Sequence, residues 1–296
     1  MHGTGAGATR LAELMKRGTD FLGCEIAILG GAMSWVSERN LVSAISNAGG
    51  FGVIACGAMT PDLLDREIAA TKERTTKAFG VNLITMHPQL SELIDVCARH
   101  SVGHVVLAGG LPPGGAIERI KAAQEILPEV AADVPVFVAG GIGRGEAIAA
   151  YLEMGAVGVQ LGTRFVCATE SIAHANFKKA FLRASARDAV PSVQLDVRLP
   201  VIPVRALKNR ETENFAAKQR EIANALDSGA LEMAEAQLQI EHYWAGALRR
   251  AVIDGDIESG SVMAGQSVGM VKREEPVAEI IAELVAEAAA ALKSRS

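Results

Sequence analysis

Aromatic residues are scarce in this chain: Phe, Trp and Tyr make up 4% of its 296 residues. That excludes a core built on ring packing, so aliphatic side chains and close Ala and Gly contacts must fill the interior. Cysteine is equally thin. Cys24, Cys56, Cys97 and Cys167 stand alone, with neither C-x-x-C pairing nor metal-ligand spacing. A disulfide scaffold and a zinc ribbon are excluded, no metal site is predicted, and buried thiols in a reducing compartment are expected. There is no basic run, and the net charge of -5 argues against nucleic acid as a partner. No run of 18 apolar residues occurs, because Glu279, Glu283, Glu287 and Lys293 interrupt the Ala-rich C-terminal stretch. No membrane span is predicted, and the first residues carry no signal-peptide core. A cytoplasmic protein is expected. Neither an HExxH pattern nor a Ser-His-Asp order is present, and no Gly-Lys-Ser/Thr follows a glycine pair.

What remains is an ordinary globular composition, 49% hydrophobic and 21% charged, with a recurring pattern. Strand-length apolar runs fall at Ala27–Leu29, Gly52–Ala55, Phe79–Ile84, His104–Ala108, Val136–Ala139 and Val157–Leu161. Helix-like segments separate them at Glu38–Asn47, Pro61–Thr71, Gln89–His100, Ala116–Leu127 and Gly145–Met154. Strand starts lie roughly 20 to 30 residues apart, the spacing of βα units on a parallel sheet, and continuous apolar strands predict cover on both faces. After about Glu170 the pattern turns helical, with Ala175–Ala186, Glu213–Ala225 and Glu232–Ile253, then a last helix at Pro276–Lys293. Arg187–Arg210 holds Pro191, Pro200 and Pro203 and reads as an irregular connector. The expected architecture is α/β: a TIM-type barrel over residues 1–174 and 246–296, with a smaller helical cap or insertion domain over 175–245. Six strands are visible where a closed barrel needs eight.

Two segments point to a ligand. Val136–Ala139 runs into Gly140-Gly141-Ile142-Gly143, and Gly158–Leu161 runs into Gly162-Thr163. Successive strand ends with bare backbone N–H groups make a phosphate cradle, and in a β/α barrel phosphate is held after the last two strands. A nucleotide cofactor is the first hypothesis; tight strand–helix turns are the alternative.

Several segments in order carry a resemblance. They are Gly30-Gly31-Ala32-Met33-Ser34-Trp35-Val36, Ser46–Gly52, Phe79-Gly80-Val81-Asn82-Leu83, Ala139–Ile142, Gln160–Phe165, Pro203–Asn209 and Gly260–Gln266. Together they resemble the FMN-dependent nitronate monooxygenases and the related flavin enoyl-acyl-carrier-protein reductases. The resemblance implies FMN, with its phosphate on the backbone of Gly140, Gly141, Gly162 and Thr163. It sets Gly31, Ala32 and Met33 against the flavin ring, puts Asn82 at the ring's polar edge, and brings Gln266 within reach of the same pocket. A buried amide capping a turn is the alternative for Asn82. The family's histidine loop is absent between Ala123 and Gln124, where about two βα units, on the order of 40–50 residues, have no counterpart. The catalytic residue is therefore unknown. His87 and His242 are the substitutes considered; neither stands at the family's position. The implied activity is oxidation of an alkyl nitronate, a small molecule, by molecular oxygen. An NAD(P)H-dependent enoyl-thioester reductase and a non-catalytic flavin-binding variant are the alternatives, and a homodimer is the expected assembly.

Overall fold

The N-terminal segment forms a helix that the strand–helix pattern did not include. In the computed structural model, which describes residues 5–57, 59–85, 87–108, 135–201 and 204–294, helix α1 spans Ala6–Leu22 and buries Leu11, Met15 and Leu22 on one face. Six short parallel strands follow: β1 (Ile28–Gly30), β2 (Gly52–Ala55), β3 (Phe79–Ile84), β4 (His104–Ala108), β5 (Phe137–Ala139) and β6 (Gly158–Leu161). Between them lie α2 (Arg39–Asn47), α3 (Pro61–Arg74), α4 (Leu90–Arg99) and α5 (Gly145–Glu153). Local chemistry sets the helix starts. Thr60 caps α3 through its side chain, with Pro61 at the first position, Asp62 in the first turn and Lys72 and Arg74 in the last. Glu38 caps α2 by accepting from the N–H groups of Asn40 and Leu41.

The strands pair as β5–β6–β1 and β2–β3–β4. A parallel bridge from Leu29 to Phe51 joins the two ladders. The last of the parallel strands therefore lies beside the first, which is the neighbour order of a β/α barrel. Among the described residues no ladder joins β4 to β5. Burial tracks that break. β1 and β2 are buried throughout, whereas β4 is half-buried along its whole length and β5 ends on the exposed Ala139. The expected helix Ala116–Leu127, and the position of the absent histidine loop, fall outside the described residues.

Alternation separates two apolar layers. Val81 and Leu83 face outward into a cluster with Leu64 and Ile68 of α3 and Leu93 and Cys97 of α4. Leu29, Phe51 and Val53 face inward, with Val106 and Phe137 packed on them. At the N-terminal end of the strands the few aromatics gather around His104. Its ring centroid lies 5.0 Å from that of Phe51 and 5.6 Å from that of Phe21, and its Nε2 is 2.8 Å from the Phe21 carbonyl oxygen.

The chain divides into two compact units, residues 1–171 with 274–296 and residues 172–273. In the first, α6 (Thr163–Val166) follows β6, and α10 (Val277–Lys293) packs on α5, α1 and α2. It fills the ring position that follows β6. A Cβ on Gly145 would stand 2.2 Å from the Leu284 carbonyl oxygen, so α5 and α10 touch backbone to backbone. The Gly145 N–H donates to the Glu287 carboxylate at 2.7 Å.

The second unit holds α7 (Ala175–Arg183), β7 (Ala189–Pro191), β8 (Arg205–Leu207), α8 (Arg210–Asp227) and α9 (Met233–Val252). One expectation is corrected here. The connector 187–210 is not irregular throughout, since β7 and β8 pair antiparallel from Ala189–Leu207 to Pro191–Arg205. Pro191 closes β7 on a two-stranded ribbon, where a missing N–H costs little. The division into units returns to the first at residue 274. α9 runs unbroken to Val252 within the second unit, and Met263 bridges back to Ala206. A core of Leu199, Phe215, Ile222 and Ile240, with Trp244 packed on it, serves this unit alone.

Candidate functional site

The C-terminal end of β1 is tied to that of β6. Gly31 donates its N–H to the Leu161 carbonyl at 2.8 Å. Beyond it the chain folds back in a tight loop. The Ser37 hydroxyl donates to the Gly31 carbonyl at 2.9 Å and accepts from the Met33 N–H at 3.0 Å, while the N–H groups of Val36 and Ser37 both donate to the Met33 carbonyl. Trp35 sits in this loop at φ 66, a left-handed conformation that costs a bulky residue on the order of 1–3 kcal/mol.

This loop meets the β6 turn at close range. A Cβ on Gly31 would lie 3.2 Å from the Gln160 amide nitrogen, and one on Gly162 would lie 3.4 Å from the Met33 sulfur. Gly31, Met33, Gln160 and Gly162 thus form one cluster, and Ala32, half-buried, lies between its first two members. Thr163 opens α6 directly after Gly162. The β5 turn adjoins: Ala139 pairs with Gln160, so Gly140 and Gly141 begin one residue beyond that pair. Their φ angles of 99° and 71° need glycine, and no heavy atom lies within 4 Å of where a Cβ would stand on either. Both are exposed.

The other expected residues are placed differently. Asn82 is 6% exposed and lies between the outward Val81 and Leu83, so it faces the barrel interior. Its amide donates across the ladder to the Val106 carbonyl at 3.2 Å. Gln266 is exposed at the start of a 3-10 turn (Gln266–Met270) in the second unit. His87 accepts from the Gln89 N–H in a turn after β3, and His242 is exposed on α9. His100 pairs with Asp65 at 3.0 Å, and His174 caps α7.

Three groups escaped the sequence reading as individual residues. Gln160 was visible only inside its motif; its register opposite both Leu29 and Ala139 sets it inward. The Thr85 hydroxyl, at the end of β3, is buried with no hydrogen-bond partner among the described residues. Arg164, one residue past Thr163, is 5% exposed and pairs with Glu275 at 2.7 Å and with Glu283. No pattern in the sequence marks an Arg–Glu pair 111 residues apart.

Thiol chemistry is disfavoured here. Burial pushes Cys56 and Cys97 up to about 12 and Cys24 up to about 11, so these sulfurs stay protonated near neutral pH. Among the described residues no group of three or more His, Cys, Asp or Glu side chains is arranged to hold a metal, and no helix is long and apolar enough to cross a membrane.

Comparison with known proteins decides the lineage. The model of the family described as nitronate monooxygenase matches residues 16–107 and 102–287. The chain belongs to this family. Like other members of the nitronate monooxygenase family it is an oxidoreductase. The two matched stretches meet at the end of β4, beside the break between the ladders.

Among curated relatives, the (3aS,4S,5R,7aS)-5-hydroxy-7a-methyl-1-oxo-octahydro-1H-indene-4-carboxyl-CoA dehydrogenase of Mycobacterium tuberculosis is 25% identical. That similarity covers 94% of this chain and 97% of the relative. The alignment runs over 349 positions against a chain of 296 residues, so the relative carries residues with no counterpart here. A probable nitronate monooxygenase of Staphylococcus saprophyticus is 23% identical, covering 81% and 94% of the two chains. Among solved structures, FabK from Thermotoga maritima superposes with a TM-score of 0.76 at 30% identity, covering 94% of this chain and 97% of that one.

Proposed function

We propose that this chain binds FMN at the C-terminal ends of β5, β6 and β1 and uses it to oxidise a small carbon acid of the alkyl nitronate type with molecular oxygen. The observation that carries the reading is the juxtaposition of Gly31, Met33, Gln160 and Gly162 beside the open, left-handed turn at Gly140 and Gly141. The cradle suits the cofactor. Exposed glycine backbone accommodates a phosphate dianion, the Thr163 hydroxyl adds a donor, and small residues in the β1 loop leave room for a flat ring. Asn82 faces the same interior and would hydrogen-bond the polar edge of that ring; Gln266 is proposed as a further contact. FMN, when bound, supplies the acceptance of electrons from substrate and the reaction with oxygen. The protein's part is to bind, orient and exclude water.

We read the first unit as a TIM-type barrel two strands short, with the second unit as an inserted domain. The four cysteines, which stand apart in sequence without C-x-x-C spacing, support a reducing, cytoplasmic setting, and a homodimer is the proposed assembly. A second reading has its own observation. The relative from Mycobacterium tuberculosis, similar over 94% of this chain, is named for a carboxyl-CoA substrate, which favours a thioester-bearing carbon acid.

Reconstitution with FMN, followed by turnover assays, tests these readings together. Oxygen uptake with an alkyl nitronate is the expected result. Stoichiometric NAD(P)H oxidation by a crotonyl thioester, without oxygen uptake on nitronate, would replace the nitronate reading by the thioester one. A yellow protein inert to both would leave a flavin carrier without turnover, and failure to bind flavin would end the proposal.

A further inference from the structure

Arg164 is the most deeply buried cation next to the cradle, and its surroundings are unusual. Its side chain, 6% exposed, reaches the carboxylate of Glu275 at 2.7 Å through one terminal nitrogen and that of Glu283 through the other. Its Nε is buried with no partner among the described residues. Glu275 is itself 4% exposed and is held along its main chain. Ala168 bridges to it in parallel, the Thr169 N–H donates to its carbonyl at 3.1 Å, and its own N–H donates to the Cys167 carbonyl at 3.4 Å. One turn further on, the Glu170 carboxylate accepts from the Val277 N–H at 3.1 Å. The segment leaving β6 and the segment at the start of α10 are thus fastened by three carboxylates and a β-bridge, with Arg164 paired to two of the three.

The guanidinium is forked and rigid, and its two terminal nitrogens are fixed by carboxylates from different places: one before α10, one on it. Its Cα is one residue from Thr163 and two from Gly162. Fixing the fork therefore fixes the backbone of the turn. From this we propose that Arg164 is a positioning residue for the flavin phosphate. It acts through Glu275 and Glu283 to hold the Gly162–Thr163 backbone in the conformation that receives a dianion. The inference rests on the FMN reading above and goes beyond it, since it assigns the phosphate selectivity of the cradle to a buried ion-pair clasp rather than to the glycines alone.

The discriminating probe is a pair of flavins that differ only in the phosphate. FMN and riboflavin are titrated against apoprotein by fluorescence quenching, with wild type, Arg164→Lys, Glu275→Gln and Glu283→Gln. Wild type should prefer FMN. Arg164→Lys and Glu275→Gln should weaken FMN by at least about tenfold and leave riboflavin within about twofold, so that the preference collapses. Glu283→Gln removes an anchor that is 45% exposed, leaves no buried charge uncovered, and should shift FMN the same way to a smaller degree. If the two core variants fail to fold, this third variant decides alone. Parallel weakening of both flavins would show a merely structural role and overturn the proposal, as would FMN affinity that no variant changes. A wild-type chain that binds neither flavin would remove the functional reading and this inference together; a wild type that binds FMN separates the two.

Discussion

Single residues divide into those whose backbone is special and those whose partners are distant. Gly140 and Gly141 belong to the first kind, with φ angles of 99° and 71° that need glycine. Gly141→Ala should cost on the order of 1–2 kcal/mol of backbone strain and weaken FMN roughly tenfold. Flavin titration beside a thermal melt measures both effects; unaltered affinity would detach this turn from the cofactor. Gln160 and Arg164 belong to the second kind. A polar residue inside an apolar strand and an arginine after a turn look ordinary in sequence, because burial and long-range pairing exist only once the chain has closed. The thiols give a plainer expectation. With Cys56 and Cys97 raised to about 12 by burial, native protein at pH 8 should leave both unmodified by iodoacetamide, and unfolding should expose them to reaction. Mass mapping of the labelled sites checks this. Rapid native labelling of either would mean that the β2–α4 layer opens readily.

At the scale of elements, all six parallel strands were legible, because a short run of apolar residues bounded by turn residues is a local signal. The ribbon β7–β8 was not. Its strands are three residues each, and three prolines nearby outweighed them in the sequence. Helix contacts were equally hidden. Nothing about Gly145 announces that its neighbour is the backbone of α10, nearly 140 residues on, yet a Cβ there would stand 2.2 Å from a carbonyl oxygen. Gly145→Ala must push the two helices apart. A loss of about 1–3 kcal/mol is expected, read as a lower denaturant midpoint at unchanged slope. No change in the midpoint would mean that α10 packs more loosely than its geometry implies.

The molecule as a whole is two units whose order in sequence is nested. The first unit breaks off at residue 171 and resumes at residue 274. In sequence, α9 and the turns after it resemble barrel-edge helices in pattern and differ only in what they touch. The FMN reading has a consequence at this scale. At a hundredfold excess over its dissociation constant, FMN should stabilise the chain by about 2.7 kcal/mol. Hydrogen exchange should show where: slowed amides at 30–33, 139–142 and 160–164, and unchanged ones along α8. Protection confined to α8 would contradict the assignment.

The ladder β5–β6–β1 also has a meaning in time. It joins residues 28–30 to residues 158–161, and the wall behind it is a helix made of residues 277–293. On the ribosome, the cradle therefore cannot be completed until α10 has been made, long after β2, β3 and β4 have met their near neighbours. A nascent chain halted between β6 and α10 should carry a formed β2–β4 layer and no cofactor.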